Sequence, residues 1–182
     1  RKNIDGLLRA FAQYRRVCEG LSTVISEPWK LVISGSGAME KPWKSLAESL
    51  GISHAVLWPG FVQYDTLPIY YGLASAFIHP ARREAWGLVV NEAAAAGQPL
   101  IVGNRVGAAC ELVEDDKNGY LVDADDVDQL AAAMSRMSAL ETTRRHAMGR
   151  HSRQLVANLS SERFGEALWS AFELASSAES DK

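Results

Sequence analysis

The sequence predicts an α/β protein with a Rossmann-like, doubly wound parallel sheet that is covered by helices on both faces. The segments that read as strands are apolar throughout, which is typical of strands buried on both faces. Segments with apolar residues at helical spacing separate them, so strands and helices alternate along the chain. The length of 182 residues, with 47% hydrophobic and 23% charged content, suits a single domain that covers residues 1–182.

The elements of the first half follow from spacing and stop signals. An apolar stripe at helical spacing predicts the first helix and is formed by Ile4, Leu7, Leu8, Phe11 and Cys18. A buried strand at residues 31–33 comes next, and then a helix at about 42–50 that a glycine ends. The following strand covers residues 55–58, and a short helix covers about 66–73, with Asp65 as its N-cap.

The second half continues the alternation. Strands are predicted at residues 77–78, 100–102 and 120–122. Between the first two lies a helix rich in Leu, Val and Ala, which Gly97 and Pro99 end. Helices fill most of the remaining chain.

One strand of a doubly wound sheet has no counterpart in the pattern. The first strand of such a sheet lies in its middle, between the second and the fourth. This chain begins directly at the first helix, so we expect five strands, with the first, central strand absent from this chain. The chain therefore looks like a fragment, whose missing strand lies upstream or comes from another chain.

Charge and composition exclude several classes of function. A net charge of -3 gives no global basic field, so nucleic acid is not an expected partner. Cys18 and Cys110 lie far apart without a CxxC spacing, which favours reduced thiols and a cytoplasmic location. The basic stretch at 144–153 is diluted by apolar residues and reads as a solvated helix, while peripheral contact with a membrane stays open.

Glu84 and Glu92 bracket the beginning of the helix between the strands at 77–78 and 100–102. Unpaired N–H groups and the positive dipole end at a helix N-terminus suit a phosphate, and a carboxylate on either side suits sugar hydroxyls. A phosphate with a sugar on each side describes a nucleotide-sugar. The alternative is that Glu84 caps the helix and that Glu92 is a solvated residue on its face.

Ordered motifs surround the two acids. They are Lys2-Asn3-Ile4-Asp5-Gly6, Gly60-Phe61-Val62, Asp65-Thr66-Leu67-Pro68, Gln98-Pro99-Leu100, Gly107 and Asn118-Gly119-Tyr120. In this order and spacing the chain resembles the C-terminal, donor-binding domain of the retaining glycosyltransferases of family 4, also called group 1, which have the GT-B fold. The resemblance extends from Lys2 to about Phe172 and is weakest after Ser138. The N-terminal acceptor domain of that family has no trace here.

The resemblance implies roles for the residues around the helix. Glu84 is expected to orient the donor sugar and to act in catalysis, and Glu92 to hold the ribose hydroxyls. The backbone of Gly87 and Leu88, with Trp86 beside them, is expected to contact the donor. Lys2 matches a lysine that grips the diphosphate in the family; the alternative is an exposed residue near the chain end without a role. The family arginine that joins this lysine has its position upstream of this chain.

Two further segments are expected to bind the donor. Gly35-Ser36-Gly37 follows a strand and can expose N–H groups to phosphate, but Glu40 replaces the third glycine of a dinucleotide fingerprint. A plain strand-to-helix turn is the alternative. Phe61 and Val62 match the segment that meets the nucleobase in the family, and for Phe61 the alternative is a core residue.

Other polar residues near these motifs are set aside. His79 ends a strand near Glu84, but a lone histidine is more often structural, and loop arginines such as Arg82 and Arg83 are usually solvated. Asp123-Ala124-Asp125 looks like an Asp-x-Asp metal motif. The helical spacing that follows Asp126 makes these acids loop and helix-start residues instead, so we expect no metal site.

The resemblance implies transfer of a sugar from a nucleoside-diphosphate sugar to an acceptor hydroxyl, with retained configuration and without a metal or another cofactor. The acceptor, a sugar, a lipid or a small molecule, is expected to bind the missing N-terminal domain, so this fragment alone is expected to be inactive. Two other classes stay open: a non-catalytic nucleotide-sugar binding module and a GT-B nucleotide-sugar epimerase.

Overall fold

The structure, a computed structural model, describes residues 1–20 and 28–180. The strands in this part of the chain are β1 (Leu31–Ser34), β2 (Val56–Gly60), β3 (Phe77–His79), β4 (Leu100–Gly103) and β5 (Gly119–Val122). The helices are α1 (Ile4–Gly20), α2 (Glu40–Ser49), α3 (Leu67–Leu73), α4 (Leu88–Ala95), α5 (Ala109–Leu112), α6 (Val127–Ala139), α7 (Thr142–Ala157) and α8 (Ser161–Ser180). The predicted alternation of helices and strands is confirmed, with ends displaced by one to a few residues.

All strand pairs in the described residues are parallel. β1 pairs with β2, and β3, β4 and β5 form a second, three-stranded sheet in that order. The predicted parallel α/β class is therefore confirmed, but the strands form two sheets that share no ladder. A groove of about 340 Å³ separates β1 from β3. This is the position that the first strand occupies in a doubly wound sheet.

Helices cover both faces of the three-stranded sheet, as the sequence predicted. Successive residues of β4 point to opposite faces: Leu100 and Val102 pack into one apolar cluster, and Ile101 packs into another. The first cluster includes residues of α4 and α5, and the second includes residues of α1 and α6. Because each face of β4 is covered, an apolar residue is suited to every position of this strand, and the strand reads as a continuous apolar run.

The entry into α1 is fixed by a buried asparagine. Asn3 adopts a left-handed backbone conformation with φ of 58° and is only 3% exposed. Its Nδ2 donates a hydrogen bond of 2.6 Å to the carbonyl oxygen of Ala124. The backbone N–H of Arg82 donates to the carbonyl oxygen of Arg1 at 3.0 Å. These two bonds place Lys2 beside the loop that follows β3.

Two predictions about helix ends come out differently. Asp126 is the N-cap of α6, and its Oδ1 accepts a hydrogen bond of 2.9 Å from the N–H of Gln129, as expected. The N-cap of α3 is Thr66 and no side chain caps this helix, so the prediction of Asp65 as the cap is wrong.

Among the described helices, none has the length and apolar character needed to cross a membrane.

Candidate functional site

The loop that carries Glu84 is locked to the loop after β4 by backbone hydrogen bonds. The N–H of Glu84 donates to the carbonyl of Arg105 at 3.2 Å, and the N–H of Gly107 donates to the carbonyl of Glu84 at 3.1 Å. Gly107 permits this close approach, because a Cβ there would lie 2.0 Å from the carbonyl oxygen of Ala85. The position of Glu84 is therefore set by backbone and does not depend on its side chain.

The Glu84 carboxylate lies against a cation and an imidazole. Lys2 Nζ donates to Glu84 Oε2 at 2.6 Å, and His79 Nε2 lies 3.8 Å from the same oxygen. The hydrogen bond from Lys2 is the main cause that lowers the pKa of Glu84, so the carboxylate is held in its charged form. The sequence predicted Lys2 and Glu84 as separate site residues, and the structure brings them together.

His79 was set aside in the sequence, and the structure places it in this cluster. Its side chain is 10% exposed, and its Nε2 is buried without a hydrogen-bond partner among the described residues. Burial, followed by the charge of Lys2, lowers the pKa of His79 and favours the neutral imidazole. The signal that could have found it is its place at the carboxyl end of a strand, where ligands bind in open parallel sheets.

The N-terminus of α4 lies directly after this cluster. Gly87 is the N-cap and has φ of 99°, a conformation that side-chain-bearing residues rarely adopt. The first two N–H groups of the helix, those of Leu88 and Val89, have no acceptor within the helix itself, while the N–H of Val90 donates to the carbonyl of Gly87 at 2.9 Å. Trp86 Nε1 donates to Asn91 Oδ1 at 2.9 Å, which fastens the loop to α4. The interpretation of Glu84 as a helix cap is wrong, because Glu84 precedes the N-cap by three residues.

Glu92, one turn into α4, is held by two tyrosines. Tyr71 donates to Glu92 Oε2 at 2.9 Å, and Tyr64 donates to Glu92 Oε1 at 3.4 Å. Burial, followed by the hydrogen bond between Tyr71 and Glu92, raises the pKa of Tyr71, so its hydroxyl stays protonated and can donate. The alternative of a freely solvated Glu92 is therefore wrong. Neither tyrosine was singled out in the sequence, since the contacts of α4 with α3 and with the residues before α3 depend on tertiary packing.

The groove between β1 and β3 collects most of the residues predicted to bind a donor. Its lining includes Lys2, Gly35, Phe61, Val62, His79 and Glu92. Phe61 is 69% exposed, so its interpretation as a core residue is wrong. Gly37, Trp86, Gly87 and Leu88 do not line this groove; Gly37 lies in the exposed turn before α2, and the other three lie at the beginning of α4.

A second cavity, of about 740 Å³, is lined by Glu84 and shares no lining residue with the groove. We call it the arginine cavity; it is lined by Arg1, Arg83, Glu84, Ala85, Asn104, Arg105, Val106, Gly107 and Cys110. The sequence did not predict it, because its lining comes from the chain start and two loops that are distant in sequence. Glu84 thus lines the arginine cavity and is paired with Lys2, which lines the groove.

The acids of the Asp-x-Asp pattern are engaged by arginines. Arg105 donates to Asp123 at 2.9 Å and to Asp125 at 2.7 Å, and Arg82 donates to Asp125 at 2.7 Å. Within residues 1–20 and 28–180, no group of three or more His, Cys, Asp or Glu side chains is arranged to hold a metal ion. These acids therefore tie the loops after β3, β4 and β5 together.

Parallel strands covered by helices, with the candidate site at their carboxyl ends, are the architecture of a GT-B glycosyltransferase domain, and solved structures share it. The chain superposes on sucrose-phosphate synthase from Thermosynechococcus elongatus with a TM-score of 0.76 and 24% identity, over 98% of this chain and 43% of that one. It superposes on the pneumococcal O-GlcNAc transferase GtfA, solved with UDP and GlcNAc, with a TM-score of 0.74 and 22% identity, over 94% of this chain and 33% of that one.

The sequence profile of the family "Glycosyl transferases group 1" matches residues 1–155, and the chain belongs to this family. A GDP-mannose-dependent alpha-(1-6)-phosphatidylinositol monomannoside mannosyltransferase of Mycobacterium tuberculosis is 35% identical over 163 residues, which are 86% of this chain and 40% of that protein. A D-inositol 3-phosphate glycosyltransferase of Acidothermus cellulolyticus is 33% identical over 141 residues, 75% of this chain and 30% of that protein. The chain thus spans 30–40% of the length of these two relatives.

Proposed function

We propose that this chain is the donor-binding domain of a retaining glycosyltransferase. In this proposal the groove and the beginning of α4 bind a nucleoside-diphosphate sugar, and the full-length protein transfers the sugar to an acceptor hydroxyl. The observation that carries the proposal is the convergence of Lys2, Glu84 and the N-terminus of α4, with Glu92 anchored one turn further along the helix.

The nucleoside would lie in the groove. The exposed ring of Phe61 and the adjacent Val62, at the carboxyl end of β2, offer a surface for the base. Glu92 would accept hydrogen bonds from the ribose hydroxyls. Its carboxylate is already oriented by Tyr71, so little side-chain freedom is lost when the ribose binds.

The diphosphate would lie between Lys2 and the first turn of α4. Departure of the nucleoside diphosphate builds negative charge on its phosphate oxygens. The ammonium group of Lys2 and the N–H groups of Leu88 and Val89 would stabilise this charge, because they are held in place before the reaction begins. The chemistry proposed here requires no metal ion.

Glu84 would act at the sugar. Its low pKa keeps a negative charge beside the anomeric carbon, where positive charge develops as the diphosphate leaves. Its backbone is fixed by the loop after β4, so the carboxylate would also orient the hydroxyls of the donor sugar. Acceptor binding, by a sugar, a lipid or a small molecule, would involve the parts of the relatives that this chain does not cover, and contact with a membrane surface would arise there as well.

Calorimetric titration of the chain with GDP, UDP and ADP tests the donor assignment. GDP is the first choice, since the mycobacterial relative is named as GDP-mannose-dependent. One nucleotide should bind selectively, and Glu92→Ala should weaken it by about tenfold or more, because hydrogen bonds to a charged group contribute about 1.5–3 kcal/mol.

The matched control is Glu48→Ala, which removes an exposed glutamate of α2 and should leave the affinity unchanged. Equal affinity in the wild type and in Glu92→Ala, with a folded sample, would contradict the assignment of Glu92. Binding of none of the three nucleotides would contradict the donor-binding proposal for this chain.

A further inference from the structure

We propose that the arginine cavity binds a phosphate group of the acceptor, with Arg83 as its principal contact. The inference rests on the proposed function, because it takes Glu84 as the residue beside the reacting sugar carbon. Because the configuration is retained in that function, the acceptor hydroxyl must approach this carbon on the face that the diphosphate leaves, while the rest of the acceptor must lie outside the groove that the nucleotide fills. The arginine cavity is lined by Glu84, shares no lining residue with the groove and, at about 740 Å³, has room for a phosphorylated acceptor.

The ion pairs around the cavity determine which arginine is available to bind a phosphate. Arg105 and Arg82 form a network with three aspartates, Asp5, Asp123 and Asp125. Two positive and three negative charges leave this network with a net charge of -1, so it does not attract an anion.

Arg83, unlike the adjacent Arg82, is not part of this network of ion pairs. It lines the cavity and is exposed, and within the described part of the chain it forms no ion pair. The single carboxylate of the lining, Glu84, is already paired at 2.6 Å with Lys2, which lines the groove. The positive charge that faces the cavity therefore belongs to Arg83, with Arg1 beside it.

The chemistry of a guanidinium favours a phosphate as the ligand. Its planar fork of N–H donors matches two phosphate oxygens, and this pairing is stronger than a hydrogen bond between neutral groups. Asn104, in the same lining, offers an amide that can donate to a further oxygen. A neutral sugar would use Asn104 and Glu84 but would gain nothing from the charge of Arg83.

The thiol of Cys110 can be used to measure the electrostatic potential in the arginine cavity. It is exposed and lines the cavity, whereas Cys18 is buried. The rate of Cys110 modification is measured with the anionic reagent 2-sulfonatoethyl methanethiosulfonate and with the neutral methyl methanethiosulfonate. The ratio of the two rates reports the local potential and cancels changes in thiol reactivity. Loss of labelling in Cys110→Ser confirms which thiol reacts.

Arg83→Gln should lower the anionic-to-neutral rate ratio by about threefold, roughly the effect of removing one unit charge near the thiol in a water-like medium at low salt. Glycerol 1-phosphate, but not glycerol, should slow the modification of Cys110 in the wild type, and Arg83→Gln should abolish this protection. The matched control is Arg150→Gln on α7, which removes an exposed arginine outside the cavity and should leave both results unchanged.

An unchanged rate ratio in Arg83→Gln, or equal protection by glycerol and glycerol 1-phosphate, would overturn the proposal. The nucleotide titration separates this result from failure of the proposed function. Arg83→Gln should bind the nucleotide as the wild type does. If a nucleotide binds but glycerol 1-phosphate does not protect Cys110, only the assignment of the arginine cavity to the acceptor is overturned. If glycerol 1-phosphate protects Cys110 but no nucleotide binds, the donor assignment is overturned.

Discussion

At the level of single residues, Glu84 is surrounded by groups from three parts of the chain. Lys2 comes from the segment before α1, His79 ends β3, and the backbone partners of Glu84 lie in the loop after β4. The sequence motifs identify Lys2 and Glu84 separately. Their contact spans 82 positions and follows from Asn3, which fixes the start of α1 against Ala124.

The buried His79 predicts a pH dependence of stability. Its pKa in the folded protein lies below the value of about 6.5 for an exposed histidine. The unfolded chain therefore binds more protons in the window below about pH 6.5, and the free energy of unfolding falls as the pH falls through it. Urea denaturation at about pH 7.5 and at about pH 5 should show a smaller loss of stability in His79→Gln than in the wild type.

The control for this experiment is His146→Gln, which removes an exposed histidine of α7. Each variant differs from the wild type at one histidine, so the comparison isolates the contribution of His79, including its effect on the neighbouring Glu84, whose pKa it helps to lower. An equal loss of stability in His79→Gln and the wild type would show that His79 is protonated as readily in the folded protein as in the unfolded chain.

At the level of the elements, the interlock between the loop after β3 and the loop after β4 holds the site. Ala108 N–H donates to the carbonyl of Trp86 at 2.8 Å, next to the bonds that join Glu84 to Arg105 and Gly107. These bonds fix the direction in which the chain enters α4. The first N–H groups of the helix and Glu84 therefore share one rigid support.

Gly107→Ala should destabilise the protein by about 1–3 kcal/mol, because the new Cβ would overlap the carbonyl oxygen of Ala85 and force the backbone apart. Urea denaturation measures this change. The matched control is Gly72→Ala in α3, where a Cβ has no neighbouring atom within 4 Å. It should be neutral or stabilising by up to about 1 kcal/mol, since alanine favours a helix more than glycine does. Equal stability of the two variants would contradict the interlock.

The elements were predictable where a local pattern determines them. Leu100 to Val102 form a continuous apolar run because both faces of β4 are covered, and Gly97 and Pro99 mark the end of α4. Contacts between elements were not predictable, because they depend on packing. The tyrosines that hold Glu92 come from α3 and the residues before it, and nothing in the local pattern around Tyr64 or Tyr71 indicates this role.

The candidate site was predictable to the same extent. The order of the motifs indicated Glu84 and Glu92 on either side of a helix start, and the structure places them there. The glycine pattern before α2 indicates only a turn, so it did not distinguish Gly35, which lines the groove, from Gly37, which does not. The arginine cavity was missed because it needs Arg83 and Cys110 from two separate loops.

At the level of the whole molecule, the carboxyl ends of β1, β2 and β3 meet at one edge. Gly35 follows β1, Phe61 follows β2, and His79 ends β3, and all three line the groove. Ligands bind at this edge in open parallel sheets. The chain carries a net charge of -3, so attraction of the proposed anionic donor would depend on the local charge of Lys2 and of the N-terminus of α4.

The central claim is that a nucleoside diphosphate binds with its nucleoside in the groove and its diphosphate at the beginning of α4. The most direct test is an NMR titration of the ¹⁵N-labelled chain with the nucleotide selected by calorimetry. The largest amide shift changes should fall on Lys2, Gly35, Phe61 and Val62, and on residues 87–92. Shift changes confined to the basic residues of α7, with those amides unmoved, would contradict the claim.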